Sequence, residues 1–201
     1  MMGDDMVEIP ATPWMHEKEI SLFAKWLPHG GNALEFGCGG STRFFFERGI
    51  FHLTSVEGDA VWGQSVFTDP FLSFFIHKER LQFILPKIGP VGKHSMPVGP
   101  PTPLWLKYHS AVWDIIDCNA LDFILIDGRF RLACAIQSIV HCPQKPIVFI
   151  HDFWIRKEYH SILHFMDILD RIETSVVLKQ KKRIHWRNLF LLLQKIQFDP
   201  I

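Results

Sequence analysis

Hydrophobic residues change their spacing several times along this chain, from a helical period to short continuous runs and back. Ile20, Phe23, Ala24 and Leu27 fall on one face of a helix over residues 12–27, with Thr12 as N-cap and Pro13 as first residue. Pro28-His29-Gly30-Gly31 ends it, and residues 33–36 read as the first strand. The pattern then predicts a helix over 41–48, a strand over 51–56 and a helix over 59–67. A further helical turn over 69–75 opens on Asp69-Pro70, and a third strand covers 81–85. Residues 86–103 include six Pro and three Gly, which disfavours regular structure. Beyond them the spacing predicts a helix over 104–116, a nearly continuous apolar strand over 121–126, a helix over 131–140 and a strand over 147–150. A strand apolar throughout is the mark of parallel pairing covered on both faces. Ile155, Tyr159, Ile162, Met166, Leu169 and Ile172 form a stripe that predicts an amphipathic helix over 155–172. Two strand-like runs, 175–178 and 189–193, end the chain as an antiparallel hairpin at one sheet edge.

Strands alternating with helices predict an α/β fold, a doubly wound, mostly parallel sheet with right-handed crossovers and an antiparallel C-terminal hairpin. With 201 residues and no linker or internal repeat, residues 1–201 read as a single domain. A composition 48% hydrophobic and 21% charged excludes intrinsic disorder. Lys+Arg and Asp+Glu number 21 each, which argues against a generic nucleic-acid binder. That zero is a cancellation: residues 1–70 carry ten acids and four bases, residues 153–201 five and nine. The basic stretch Lys179-Gln180-Lys181-Lys182-Arg183 reads as a solvated turn. Cys38, Cys118, Cys134 and Cys142 stand apart, as reduced thiols of a cytoplasmic protein do. Asp4, Asp5 and Glu8 occupy the place of a signal peptide's basic region, and no apolar run reaches membrane-spanning length.

The segment that carries chemistry is Glu35-Phe36-Gly37-Cys38-Gly39-Gly40-Ser41-Thr42, between the first strand and its helix. Glycines there let the backbone turn sharply and approach a ligand, and the helix start offers free N–H groups to an anion. A second acid, Glu57, closes the second strand, where a carboxylate accepts both ribose hydroxyls. In these residues the sequence resembles the class I S-adenosylmethionine-dependent methyltransferases. Their first motif, acid-x-Gly-x-Gly-x-Ser/Thr, is matched by Glu35, Gly37, Gly39 and Ser41, and their ribose-binding acid by Glu57. The resemblance implies a Rossmann-like methyltransferase fold and an S-adenosyl-L-methionine site. The Gly37–Gly40 loop with Ser41 and Thr42 would hold the amino-acid part, Glu35 would meet its ammonium directly or through water, and Glu57 would hold the ribose. The adenine contact cannot be assigned, because the third strand runs into Leu85-Pro86-Lys87.

In open α/β sheets the ligand crevice lies beyond the strands' carboxyl ends. The fourth strand ends in Asp127-Gly128-Arg129-Phe130-Arg131 and the fifth in His151-Asp152. This pairing is similar to one small-molecule branch of the same methyltransferases, some of which hold a divalent metal. Asp127 and Asp152 are the matching positions, and Mg²⁺ suits their hard oxygens, whereas Arg129 beside them argues against a metal. Without a metal, Asp127, His151 and Asp152 are the candidates for catalysis by proton removal, and Arg129 and Arg131 suit an anionic acceptor. The expected function is methyl transfer to a small-molecule acceptor. Two other readings use the same residues. One is a non-catalytic nucleoside-cofactor or partner-binding module; the other is an NAD-dependent oxidoreductase, disfavoured because Thr42 replaces the third small residue of G-x-G-x-x-G.

Overall fold

Alternation with period two builds one sheet between two cores. The computed structural model describes residues 8–201. The strands are β1 (Asn32–Phe36), β2 (His52–Val56), β3 (Leu81–Ile84), β4 (Leu121–Ile126), β5 (Ile147–Ile150), β6 (Met166–Ile172) and β7 (Ser175–Gln180). Along β4, Ile124 and Ile126 enter one core and Phe123 and Leu125 the other. Val148 and Ile150 of β5, and Val176 and Leu178 of β7, join the first; Phe149 and Val177 join the second. The order is β3-β2-β1-β4-β5-β7-β6. Strands β1 to β5 pair in parallel, β7 runs antiparallel to β5, and β6 antiparallel to β7. The strand order therefore reverses between β1 and β4, the switch point at which such sheets bind ligands.

Helices α1 (Glu17–Trp26), α2 (Gly40–Glu47), α3 (Ala60–Thr68) and α4 (Pro70–His77) precede β4; α5 (Leu106–Ser110), α6 (Arg131–His141) and α7 (Trp186–Ile196) complete the set. Asp59 and Asp69 cap α3 and α4 by accepting from first-turn N–H groups, and Pro70 opens α4. No helix among the described residues is long and apolar enough to cross a membrane.

The structure corrects four sequence expectations. Helix α1 starts at Glu17, because Glu19 reaches back to the His16 N–H, Oε2 to N 2.9 Å, as in a capping box. Residues 10–14 instead cross over Gly40, where an added Cβ would lie 2.0 Å from the Thr12 carbonyl oxygen. The predicted helix over 104–116 is divided into a 3₁₀ turn, short α5 and a second 3₁₀ turn (Ala111–Asp114). The predicted helix over 155–172 is a 3₁₀ segment, Lys157–His164, followed by β6. The run 189–193, expected as a strand, lies inside α7.

The edge hairpin is therefore β6–β7, not the two terminal runs. A tertiary contact explains why its turn is silent in the sequence. Glu173, at φ +47°, carries no glycine to announce the reversal. The turn is pinned instead by the Glu19 carboxylate, whose Oε1 accepts from the Thr174 N–H (3.0 Å), the Thr174 hydroxyl (2.6 Å) and the Ser175 hydroxyl (2.9 Å). Pairing with β7 outweighs the helical spacing of the Met166–Ile172 stripe.

Candidate active site

Gly37 turns out of β1 at φ +92°, a conformation that favours glycine, and its N–H donates to the Val56 carbonyl at 2.9 Å. The next residues are locked from below. The Thr42 hydroxyl accepts from the Gly39 N–H at 2.9 Å and donates to Glu35 Oε2 at 2.8 Å. The Ser41 hydroxyl donates to Glu35 Oε1, and the Ser55 hydroxyl to Oε2 at 2.9 Å. Burial pushes the Glu35 carboxyl up to about 8, against the lowering effect of the Ser41, Thr42 and Ser55 hydrogen bonds, and the Asp127 charge adds to the rise. Glu35 is 0% exposed and, like Thr42, lies outside the cavity wall. Glu35 therefore organises the loop from behind, and of the two contacts expected with a cofactor ammonium, direct or through water, this placement suits the second. Thr42 likewise holds the loop rather than facing a ligand.

Above this support lies a cavity of about 760 Å³, whose wall includes Gly37, Cys38, Gly39, Gly40, Ser41 and Glu57. Gly40 and Ser41 begin α2, where first-turn N–H groups lack intrahelical acceptors. Glu57 Oε1 accepts from the Gly58 and Asp59 N–H groups at 2.8 and 2.9 Å, and Oε2 from the Cys38 N–H at 3.3 Å. Burial raises its pKa against these bonds and one from the Ser95 hydroxyl. The Cys38 thiol is pushed well above its usual value by burial and then by the Glu57 charge, so it stays protonated and is no nucleophile.

Ser95 belongs to the proline- and glycine-rich segment, which reaches the cavity through His94 and Ser95, both in the left-handed region at φ +55° and +57°. A bridge between Val91 and Pro97 closes the segment, and Arg129 Nε donates to the His94 carbonyl at 2.8 Å. Of the aromatic residues beyond it, Tyr108 lines the cavity and accepts from the Arg129 N–H at 3.2 Å. Trp105 and His109 are buried away from it.

The opposite wall is made by the tips of β4 and β5, as the switch-point argument requires. Asp127, Gly128, Arg129, Arg131, His151 and Asp152 all line it. Arg131, its side chain only 6% exposed, ties the two tips together. It donates to the Gly128, Asp127 and His151 carbonyls and pairs with Asp127 Oδ1 at 3.3 Å and Asp152 Oδ2 at 3.2 Å. Burial lowers its pKa, but the Asp127, Tyr159 and Asp152 charges outweigh that and raise it. Its donors are spent inside the protein, so the expected hold of Arg131 on an acceptor gives way to a positioning role. The guanidinium also meets both carboxylates at the place proposed for Mg²⁺. Among the described residues no group of three His, Cys, Asp or Glu is arranged to hold a metal ion.

His151 Nδ1 faces Asp127 Oδ1 at 2.8 Å, and Nε2 faces Glu19 Oε2 at 3.4 Å and Asp152 Oδ1 at 3.7 Å. Burial lowers its pKa, but the Asp127 hydrogen bond and the Asp127 and Asp152 charges reverse this and raise it. Burial pushes Glu19 upward, yet hydrogen bonds from Thr174, His16 and Ser175, with the His151 charge, bring it down to about 2. Both imidazole nitrogens thus face carboxylates, which fix the ring between Asp127 and Glu19. Asp152, at φ +56°, presents its carboxylate to the cavity beside Asp127, with Oδ2 held by Arg131. Sequence reasoning missed Glu19 and Arg156. Glu19 reaches the site only through the packing of α1 on the hairpin, and Arg156 comes from a segment read as a helix stripe.

No protein-family model matches the chain. No curated protein matches its sequence. Among solved structures, a methyltransferase-like protein from Silicibacter pomeroyi is similar with a TM-score of 0.77 at 23% identity, over 94% of this chain and 100% of that one. An O-methyltransferase from Bacillus cereus, in complex with SAH, matches with a TM-score of 0.57 at 11% identity, over 86% and 84%. A precorrin 8w decarboxylase from Methanobacterium thermoautotrophicum matches with a TM-score of 0.50 at 12% identity, over 91% and 100%, so the likeness carries the fold and not one chemistry. The chain has a Rossmann-like methyltransferase fold.

Proposed function

We propose that this protein transfers the methyl group of S-adenosylmethionine to a small-molecule acceptor. One observation carries the reading: the glycine loop, the acid that closes β2 and the β4 and β5 tips line a single cavity of about 760 Å³. The residues present fit such a cofactor. Gly37, Gly39, Gly40 and Ser41 offer a side-chain-poor wall and helix N–H groups to its amino-acid end. Glu57 presents a carboxylate to its ribose. Bound there, S-adenosylmethionine would supply an electrophilic methyl carbon on a sulfonium. Positioning and removal of the acceptor's proton are the tasks left to the chain. Asp152 takes that proton, Arg131 and Asp127 fix its carboxylate and the strand tip, and Glu19 with Asp127 holds His151 beside it.

A second reading, a binding module without turnover, is favoured by the Arg131 and Arg156 guanidiniums on Asp152 Oδ2, which leave that carboxylate already paired. Equilibrium binding of radiolabelled S-adenosylmethionine tests the site for both. Glu57→Ala is expected to weaken binding about 30-fold, the worth of a buried charge-assisted pair. Affinity unchanged in Glu57→Ala, with an unchanged Tm, would remove this carboxylate from the site. Formation of S-adenosylhomocysteine during incubation with acceptors separates the enzyme from the module.

A further inference from the structure

The β4–β5 end of the cavity has more positive charge than its carboxylates absorb. Three guanidiniums, those of Arg129, Arg131 and Arg156, line it against Asp127 and Asp152. Arg131 takes up both carboxylates at 3.2–3.3 Å, and Asp127 is shared with His151. Arg156 reaches Asp152 only at 3.6 Å, over an oxygen already held by Arg131, and its buried Nε has no hydrogen-bond partner. Arg129 has a single bond, from Nε to the His94 carbonyl, and no carboxylate within ion-pair distance among the described residues. Glu8, also on the cavity wall, is exposed and pairs with neither among those residues.

Arg129 is held in place without a counter-charge, and Arg156 with only one it shares with Arg131. The Arg129 backbone is fixed by the Tyr108 hydroxyl, and Arg156 lies over the Tyr159 ring at 5.8 Å. Burial, then the charges of Arg131 and Arg156, lower the Arg129 pKa, as expected for clustered cations short of counter-charge. A guanidinium presents paired donors in a plane, which matches the two oxygens of an oxyanion.

We propose that the acceptor carries an oxyanion group, bound between the Arg129 and Arg156 guanidiniums, with its nucleophilic atom turned toward Asp152. This deepens the methyl-transfer reading and rests on it for the word acceptor; the anion site stands on the arginines alone. Trp14, 81% exposed on the same cavity wall, adds an aromatic face for the rest of such a molecule.

The probes are benzoate, phenyl phosphate and the neutral benzamide, titrated calorimetrically into the full chain with and without S-adenosylhomocysteine. Benzoate or phenyl phosphate is expected to bind at least about tenfold tighter than benzamide, and their order separates a carboxylate site from a phosphate site. Arg129→Met and Arg156→Met should each cost the anions about tenfold and leave benzamide and S-adenosylhomocysteine unchanged. Arg129→Lys should recover part of the loss, since it restores charge without the planar fork. Equal binding of benzamide and the anions would overturn the proposal, as would an anion preference that survives both Met variants. Failure of S-adenosylhomocysteine alone would count against the cofactor reading and leave the anion result standing on its own titrations.

Discussion

Gly37→Ala is expected to destabilise the protein by about 2–4 kcal/mol and to reduce S-adenosylhomocysteine binding by about 100-fold or more. Two costs combine at this position. The residue sits at φ +92°, where an L side chain is strained. An added Cβ would also lie 2.6 Å from both N and Cα of Gly128, and backbone cannot swing aside as a flexible side chain does. The close approach of these two glycines lets the β1 and β4 tips border one cavity, so relief of the clash must separate the two halves of the site. Gly30→Ala is the matched control: it has φ +70° but nothing within 4 Å of the new Cβ, so strain acts alone, costing about 1 kcal/mol. For a chain of this size each kcal/mol moves Tm by about 2–4 °C, so melting curves resolve the two variants. Equal losses for Gly30→Ala and Gly37→Ala would show that the Gly128 contact contributes nothing.

The second large effect is a pH dependence written into Glu35. Its folded pKa is raised from 4.5 to about 8, so the native state holds this proton more tightly than the unfolded chain. The resulting stability is fully present below the unfolded value and is lost as pH rises through the folded one, on the order of 5 kcal/mol in all. Glu57 is shifted in the same direction and contributes in the same sense. Glu35→Gln removes only the first titration. The stability of the native sequence minus that of Glu35→Gln should therefore fall steadily between about pH 4.5 and 8, a relative Tm change of about 10–20 °C. A difference independent of pH would mean that Glu35 is ionised in the folded protein and that the loop rests on a charge.

The β1–β5 framework was legible because buried parallel strands are apolar on both faces, and runs such as Phe123–Ile126 announce that without tertiary information. The spacing from Glu35 to Glu57 was legible for a related reason: a strand, a glycine turn and a helix start are all local. What stayed hidden depends on partners distant in sequence. The Met166–Ile172 stripe satisfies a helical period, and only pairing with β7 makes it a strand. The apolar run inside α7 reads as a strand until Leu189 is seen packed in the core while Phe190 and Leu191 face outward. The protein partners of Glu35 stayed hidden, because the sequence does not reveal that Ser41, Thr42 and Ser55 converge beneath the loop. Arg131 and Arg129 look alike on paper; burial makes one a brace and leaves the other unneutralised.

The central claim is that the glycine loop, Glu57 and the Asp152 tip enclose one S-adenosylmethionine site. A crystal structure of the protein with S-adenosylhomocysteine soaked in tests it most directly. The ribose hydroxyls should lie on Glu57, the amino-acid end against Gly37–Ser41, and the sulfur facing the part of the cavity bordered by Asp152. A cavity empty at saturating ligand, or a ligand bound away from Glu57, would contradict the account.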